Sequence, residues 1–187
     1  KKKRDNKKNE LKNINDHKLI YYDKEKTVLF INTNKIKISL NLKRGLAIDK
    51  LSFKSQKFNP ILGTIHRDKI KSIHEGADFY SGNITHEIIN SMSKVTDLNA
   101  VIPRIYQNQN QIIIYSTQKF QNGKLKKTIE ISKSHEEVNL SSEYDWKNKN
   151  IGSLRMNNIT FLNTNRKSIS FLCKNGGKDL EKFYLKD

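Results

Sequence analysis

Residues 35–53, KIKISLNLKRGLAIDKLSF, decide the fold. Ile36, Ile38, Leu40 and Leu42 alternate with Lys35, Lys37, Ser39 and Asn41. A period of two over eight residues describes a strand with one face in a core and the other in water. Lys43-Arg44-Gly45 turns the chain, and Leu46, Ile48, Leu51 and Phe53 continue apolar beyond it, so the segment predicts a β-hairpin.

The same composition extends to both sides. Upstream, LIYY (19–22) and TVLFI (27–31) are short runs of aromatic and β-branched residues, the residue types of strands. Downstream, Phe58-Asn59-Pro60 breaks the pattern, because proline and the residue before it favour a bend or an extended edge. Further strands are expected at 94–101 and 104–106, parted by Pro103, and at 111–119 and 124–132. Gln121-Asn122-Gly123 lies between the last two, and Asn-Gly is the strongest short hairpin signal because both residues accept positive φ. Strands at 137–145, 153–162, 168–173 and 180–185 complete the series, with Asn175-Gly176-Gly177 as the final turn. Strands at this spacing, with few amphipathic helices, predict an all-β, mostly antiparallel β-sandwich over residues 19–187. Residues 1–18 form a basic tail or linker; the first twelve carry seven basic side chains, two acidic and one apolar, and are expected to be disordered.

A chain of 187 residues is long enough for one real core. It has no run of 18 apolar residues and its charged N-terminus lacks a signal-type apolar stretch, so a cytoplasmic protein with no membrane partner is expected. It begins with Lys rather than Met, which leads us to expect a piece of a longer protein. The single cysteine, Cys173, excludes an internal disulfide and reads as a buried small hydrophobe. The net charge is +17, yet of 36 basic residues 30 are Lys and only 6 Arg, scattered through nearly every segment. Specific nucleic-acid readers use Arg forks and cluster charge with interleaved aromatics. Nucleic acid is therefore set aside as a partner, and a polyanion-binding module using the Lys-rich surface stays as an alternative.

Residues 63–97 concentrate the chemistry: His66, Asp68, His74, Glu75, Asp78, Tyr80, His86 and Glu87 lie among Gly63, Gly76 and Gly82. The stretch reads as one long polar connection on a β scaffold, the usual place for binding groups. Its histidines and carboxylates are zinc-type ligands, but neither an i, i+4 pair on a helix nor a His-x-His pair on a strand can be claimed, so no metal and no cofactor are expected. Glu75, Asp78 or Glu87 beside a histidine would serve acid–base chemistry at a sugar hydroxyl or anomeric carbon, though such neighbours are common on any surface. Polyol recognition needs carboxylates and amides for hydroxyls and an aromatic face for C–H patches, and residues 78–83 (DFYSGN) supply both. The plainer alternative makes Phe79 core and Asp78 a turn cap. Alternation predicts Phe79 inward and Asp78 with Tyr80 outward. Asp78, Tyr80, His66, His86 and Glu87 are the expected carbohydrate-binding set.

Gly76-Ala77-Asp78-Phe79-Tyr80-Ser81-Gly82, followed by Lys94-Val95-Thr96-Asp97-Leu98, resembles the C-terminal β-sandwich of glycoside hydrolase family 57-type proteins. So do Leu42-Lys43-Arg44-Gly45-Leu46-Ala47-Ile48, Leu62-Gly63-Thr64-Ile65-His66, Gly152-Ser153-Leu154-Arg155 and Asn175-Gly176-Gly177, with Glu181 and Phe183 after them. That domain is similar to the galactose mutarotase-like sandwich also appended to family 38 α-mannosidases, and the resemblance spans residues 27–187. It implies carbohydrate metabolism, with an oligosaccharide or polysaccharide partner. It also implies that catalytic carboxylates belong to an N-terminal barrel outside this chain, so this piece packs on the barrel or touches the sugar. A stand-alone aldose epimerase-like enzyme is the other alternative, although no mutarotase acid–base set transfers onto this sequence.

Overall fold

The computed structural model describes residues 19–65, 79–120, 123–147, 151–162 and 170–184. The basic tail, His66 and Asp78 lie outside the described residues. The first sheet is an antiparallel meander of β1 (Ile20–Tyr22), β2 (Val28–Asn32), β3 (Ile36–Asn41), β4 (Ala47–Phe53) and β5 (Pro60–Gly63). The predicted hairpin is β3–β4, joined through a single 3-10 turn, Leu42–Arg44. Gly45 and Leu46 both hold positive φ, at 60° and 62°. Ile36, Ile38, Leu40 and Leu42 are all buried, as the alternation requires.

The second sheet is also a meander, of β8 (Arg104–Gln107), β9 (Gln111–Phe120), β10 (Gly123–Ser132) and β11 (Val138–Trp146). Phe120 pairs with Gly123, so the expected β9–β10 hairpin forms with a two-residue connection, but Gly123 opens β10 at φ 154° instead of standing inside the turn with Asn122. Ile105, Ile112, Ile114, Ile129 and Ile131 pack in one cluster with Leu29, Ile31, Ile36, Ile38, Leu40 and Leu51 of the first sheet. The two sheets thus bury their apolar faces on each other, and the molecule is an antiparallel β-sandwich. Full burial of one such side chain contributes about 1.5–3 kcal/mol.

A third sheet, order β12-β6-β7, lies where a long connection was expected. It comprises β6 (Ile84–Ile88), β7 (Ser93–Thr96) and β12 (Gly152–Met156). In β6, Ile84, His86 and Ile88 share one face, so a histidine sits at an apolar position of an ordinary alternating strand. β7 stops at Thr96 instead of reaching Val101, because the Asp97 carboxylate takes the Ile84 N–H, Oδ1 at 2.8 Å. β12 stops at Met156 instead of Leu162, because Asn157 adopts φ 55°. A final hairpin joins β13 (Ser170–Cys173) and β14 (Glu181–Tyr184). Cys173, expected in a core, is only half-buried there, since that hairpin leaves most of its side chains exposed.

Register divides the inner face of the second sheet into two halves. Cross-strand rows Ile112–Ile131–Val138 and Ile114–Ile129–Leu140 are apolar and belong to the core. The next rows are Ser116–Lys127–Ser142, Gln118–Leu125–Tyr144 and Phe120–Gly123–Trp146. This second half is polar and aromatic, and it meets the third sheet: Ser142 Oγ donates to Asn157 Oδ1 at 2.8 Å, and Trp146 touches His86.

Candidate functional site: the polar half of the sandwich

Lys127 is the centre of the polar half. It takes the inward position between Leu125 and Ile129, and its side chain is 1% exposed. A lone buried ammonium would be prohibitively unstable, so it must be paired. Its Nζ forms an ion pair with Asp97 Oδ2, itself fully buried, and donates to the Gly45 carbonyl at 2.9 Å. Burial lowers the Lys127 pKa, and the Asp97 charge and hydrogen bond oppose that shift. Gln118 Nε2 donates to the Asp97 carbonyl at 2.8 Å, and Gly45 N–H to the Asn99 carbonyl at 2.9 Å. One lysine therefore ties the β3–β4 turn, the end of β7 and the second sheet together. A Cβ at Gly45 would stand 1.9 Å from the Asp97 carbonyl oxygen, so the turn needs glycine for space as well as for its φ.

Beyond the ion pair the wall becomes aromatic. Phe120 stacks on Tyr144 with centroids 6.2 Å apart, and Tyr144 lies 4.1 Å from Trp146. Trp146 meets His86 edge to face at 4.9 Å. His86 is 3% exposed, and burial pushes its pKa below 6.5, so its imidazole is neutral at pH 7. Burial pushes the Tyr144 phenol above its ordinary value. Among the described residues His86 Nδ1 and Tyr144 Oη are buried without hydrogen-bond partners, as are Ser116 Oγ and Gln118 Oε1. Each such atom costs about 1–3 kcal/mol until something satisfies it. Gly152 stands next to the ring; a Cβ there would come within 2.1 Å of the Glu87 carbonyl oxygen and 3.1 Å of His86 Nε2. Trp146 is 38% exposed, so the cluster has an indole at its solvent edge and unsatisfied polar atoms behind it.

Of the five residues singled out from sequence, the structure places Tyr80, His86 and Glu87. They do not converge. Tyr80 is half-buried against Ala47 and Leu98 rather than turned outward. Glu87 follows His86 on the strand and faces the other way. Its Oε1 accepts from Arg155 Nη2 at 2.7 Å and lies 3.6 Å from Lys94 Nζ, a half-exposed cluster built from all three strands. His86 alone reaches the polar interior.

Lys127, Tyr144 and Trp146 escaped the sequence reading. The signal for Lys127 was its parity with Leu125, Ile129 and Ile131. The partners of His86 come from β11, sixty residues downstream, and no local pattern reports a pairing at that range. Ser81, Gly63 and Ile48, three of the residues that carry the resemblance, bond across strands. Ser81 Oγ donates to the Gly63 carbonyl at 2.5 Å and accepts from Thr160 N–H at 2.9 Å, while the Ser81 carbonyl accepts from Ile48 N–H at 2.8 Å. Among the described residues no cluster of histidine, cysteine and carboxylates can hold a metal ion, and no helix is long and apolar enough to cross a membrane. Comparison with family models, with curated proteins and with solved structures gives no match.

Proposed function

We propose that this chain is an accessory β-sandwich domain of a carbohydrate-active protein, which contacts sugar beside a separate catalytic barrel and has no turnover of its own. The observation that carries this reading is the His86–Tyr144–Trp146 cluster, where a half-buried indole adjoins two unsatisfied polar atoms. Sugars present C–H faces that pack on indole, and hydroxyls that both donate and accept. A neutral imidazole nitrogen accepts one of those hydroxyl protons, and a phenol donates or accepts. The family resemblance favours the same ligand class and the mutarotase-like form of the sandwich. Turnover is not part of the reading, because the carboxylates of β6 and of the end of β7 are committed elsewhere: Glu87 to Arg155 and Lys94, and Asp97 to Lys127.

Isothermal titration of the chain with gluco- and manno-oligosaccharides tests the proposal. Binding at micromolar to millimolar Kd is expected, weakened at least tenfold in Trp146→Ala. Heats indistinguishable from dilution for every sugar would reject it. Polarimetry on the same chain separates the epimerase alternative, because an accessory domain leaves the anomer ratio relaxing at its uncatalysed rate.

A further inference from the structure

The outer face of the second sheet carries a separate constellation. Ile105, Ile112, Ile114, Ile129 and Ile131 point into the core, so Arg104, Tyr106, Ile113, Tyr115, Glu130 and Asn139 point away from it. Tyr106 and Tyr115 lie nearly parallel, with centroids 5.6 Å and 7° apart, and their phenol oxygens are 3.2 Å from one another. Arg104 is the cross-strand partner of Tyr115, so its side chain starts beside the phenols on the same face. Beside it opens a cleft of about 360 Å³, lined by Gln111, Glu130, Ser132, His135, Glu137 and Asn139. Tyr106, Ile113, Glu130 and Asn139 form one cross-strand row, so Tyr106 on β8 stands two strand spacings, about 10 Å, from Glu130, and Tyr115 on β9 is one spacing from β10. Asn139 Nδ2 donates to Glu137 at 3.1 Å, while the Glu130 carboxylate has no partner among the described residues.

We propose that this face is a binding site for a neutral saccharide chain, with Tyr106 and Tyr115 supporting one sugar ring and the Glu130–Asn139 cleft holding the hydroxyls of a ring one or two units along. Carboxylate and amide groups match vicinal hydroxyls in both senses, as acceptors and as donors. Glu130 and Glu137 in the cleft disfavour phosphates, sulfates and uronates at that position, which points to a neutral chain. The polar lining excludes a lipid or another apolar ligand. This site is independent of the His86–Trp146 cluster, which lies on the inner face.

Titration of the chain, with its tyrosine and tryptophan ring protons followed by NMR, separates the two sites, because Trp146 is the only tryptophan. The probes are cellotetraose, maltotetraose and mannotetraose, with tetragalacturonate as the acidic arm. Shifts of Tyr106 and Tyr115 by at least one neutral tetramer are expected, with affinity falling at least tenfold in Tyr115→Ala and in Glu130→Gln. Both substitutions are on the outer face, and a thermal melt confirms that the variants stay folded. Tighter binding of tetragalacturonate than of any neutral tetramer overturns the proposal, as does absence of Tyr106 and Tyr115 shifts with all four probes. Shifts confined to Trp146 and Tyr144 would reject this face and leave the inner site standing; shifts confined to Tyr106 and Tyr115 would do the reverse.

Discussion

Lys127→Met leaves the Asp97 carboxylate buried with only the Ile84 N–H at Oδ1, and leaves the Gly45 carbonyl without its lysine donor. Removing one partner of a buried ion pair costs about 3–5 kcal/mol, since the remaining charge is uncompensated. For a chain of this size that corresponds to a Tm lower by about 6–20 °C. Lys126 is a built-in control. It is adjacent in sequence, faces outward, and meets Glu143 at 3.3 Å with both side chains largely exposed, so Lys126→Met should cost under about 1 kcal/mol. A second contrast comes from Asp97→Asn in the Lys127→Met background. The amide oxygen still accepts from Ile84 while the unpaired charge is gone, so part of the lost stability should return. Urea denaturation of the four proteins gives the free energies and checks that m is unchanged. Equal midpoints for Lys127→Met and Lys126→Met would refute the placement of Lys127 in the interior. A double variant less stable than Lys127→Met would refute the charge argument.

Other consequences are equally direct. Gly45→Ala should destabilise by at least about 2 kcal/mol, seen in the same urea titration, because the turn holds positive φ and its Cβ position is occupied by the Asp97 carbonyl. His86 resists protonation when folded, whereas the unfolded chain protonates it near 6.5. The unfolded state then binds more protons below that pH, so its contribution to stability falls on acidification, by up to about 1.4 kcal/mol per pH unit until the folded pKa is reached. Melts of wild type and His86→Gln between about pH 7.5 and about pH 5 should converge as the pH drops; parallel curves would show that burial leaves His86 unshifted. Glu87→Gln should leave sugar affinity unchanged and cost less than about 1 kcal/mol, because its ion pairs are half-exposed.

The scaffold was legible where local periodicity and tertiary burial agree. Ile36 to Leu42, the β9–β10 turn and the aliphatic rows of the second sheet all state their own conformation. Polar residues at inward positions broke that legibility. His86 in β6 and Lys127 in β10 occupy alternating sites that would ordinarily be apolar, so one looked like part of a functional loop and the other like one more surface lysine. The concentration of chemically capable residues in 63–97 was real as composition. Where the structure describes them, Tyr80, Ser81 and Asp97 act as packing and cross-sheet contacts. Chemistry-bearing side chains are also what a protein uses to join sheets, and only the pairing register tells the two uses apart.

The sugar-contact reading is tested most directly by the fluorescence of Trp146, the only tryptophan in the chain. Its indole touches both His86 and Tyr144, so a sugar seated on it changes its surroundings. Titration with gluco- and manno-oligosaccharides should give a saturable change in emission, with the same midpoint as calorimetry and absent in Trp146→Phe. Emission that stays constant up to about 10 mM of every oligosaccharide, a concentration that would reveal even millimolar binding, would contradict it.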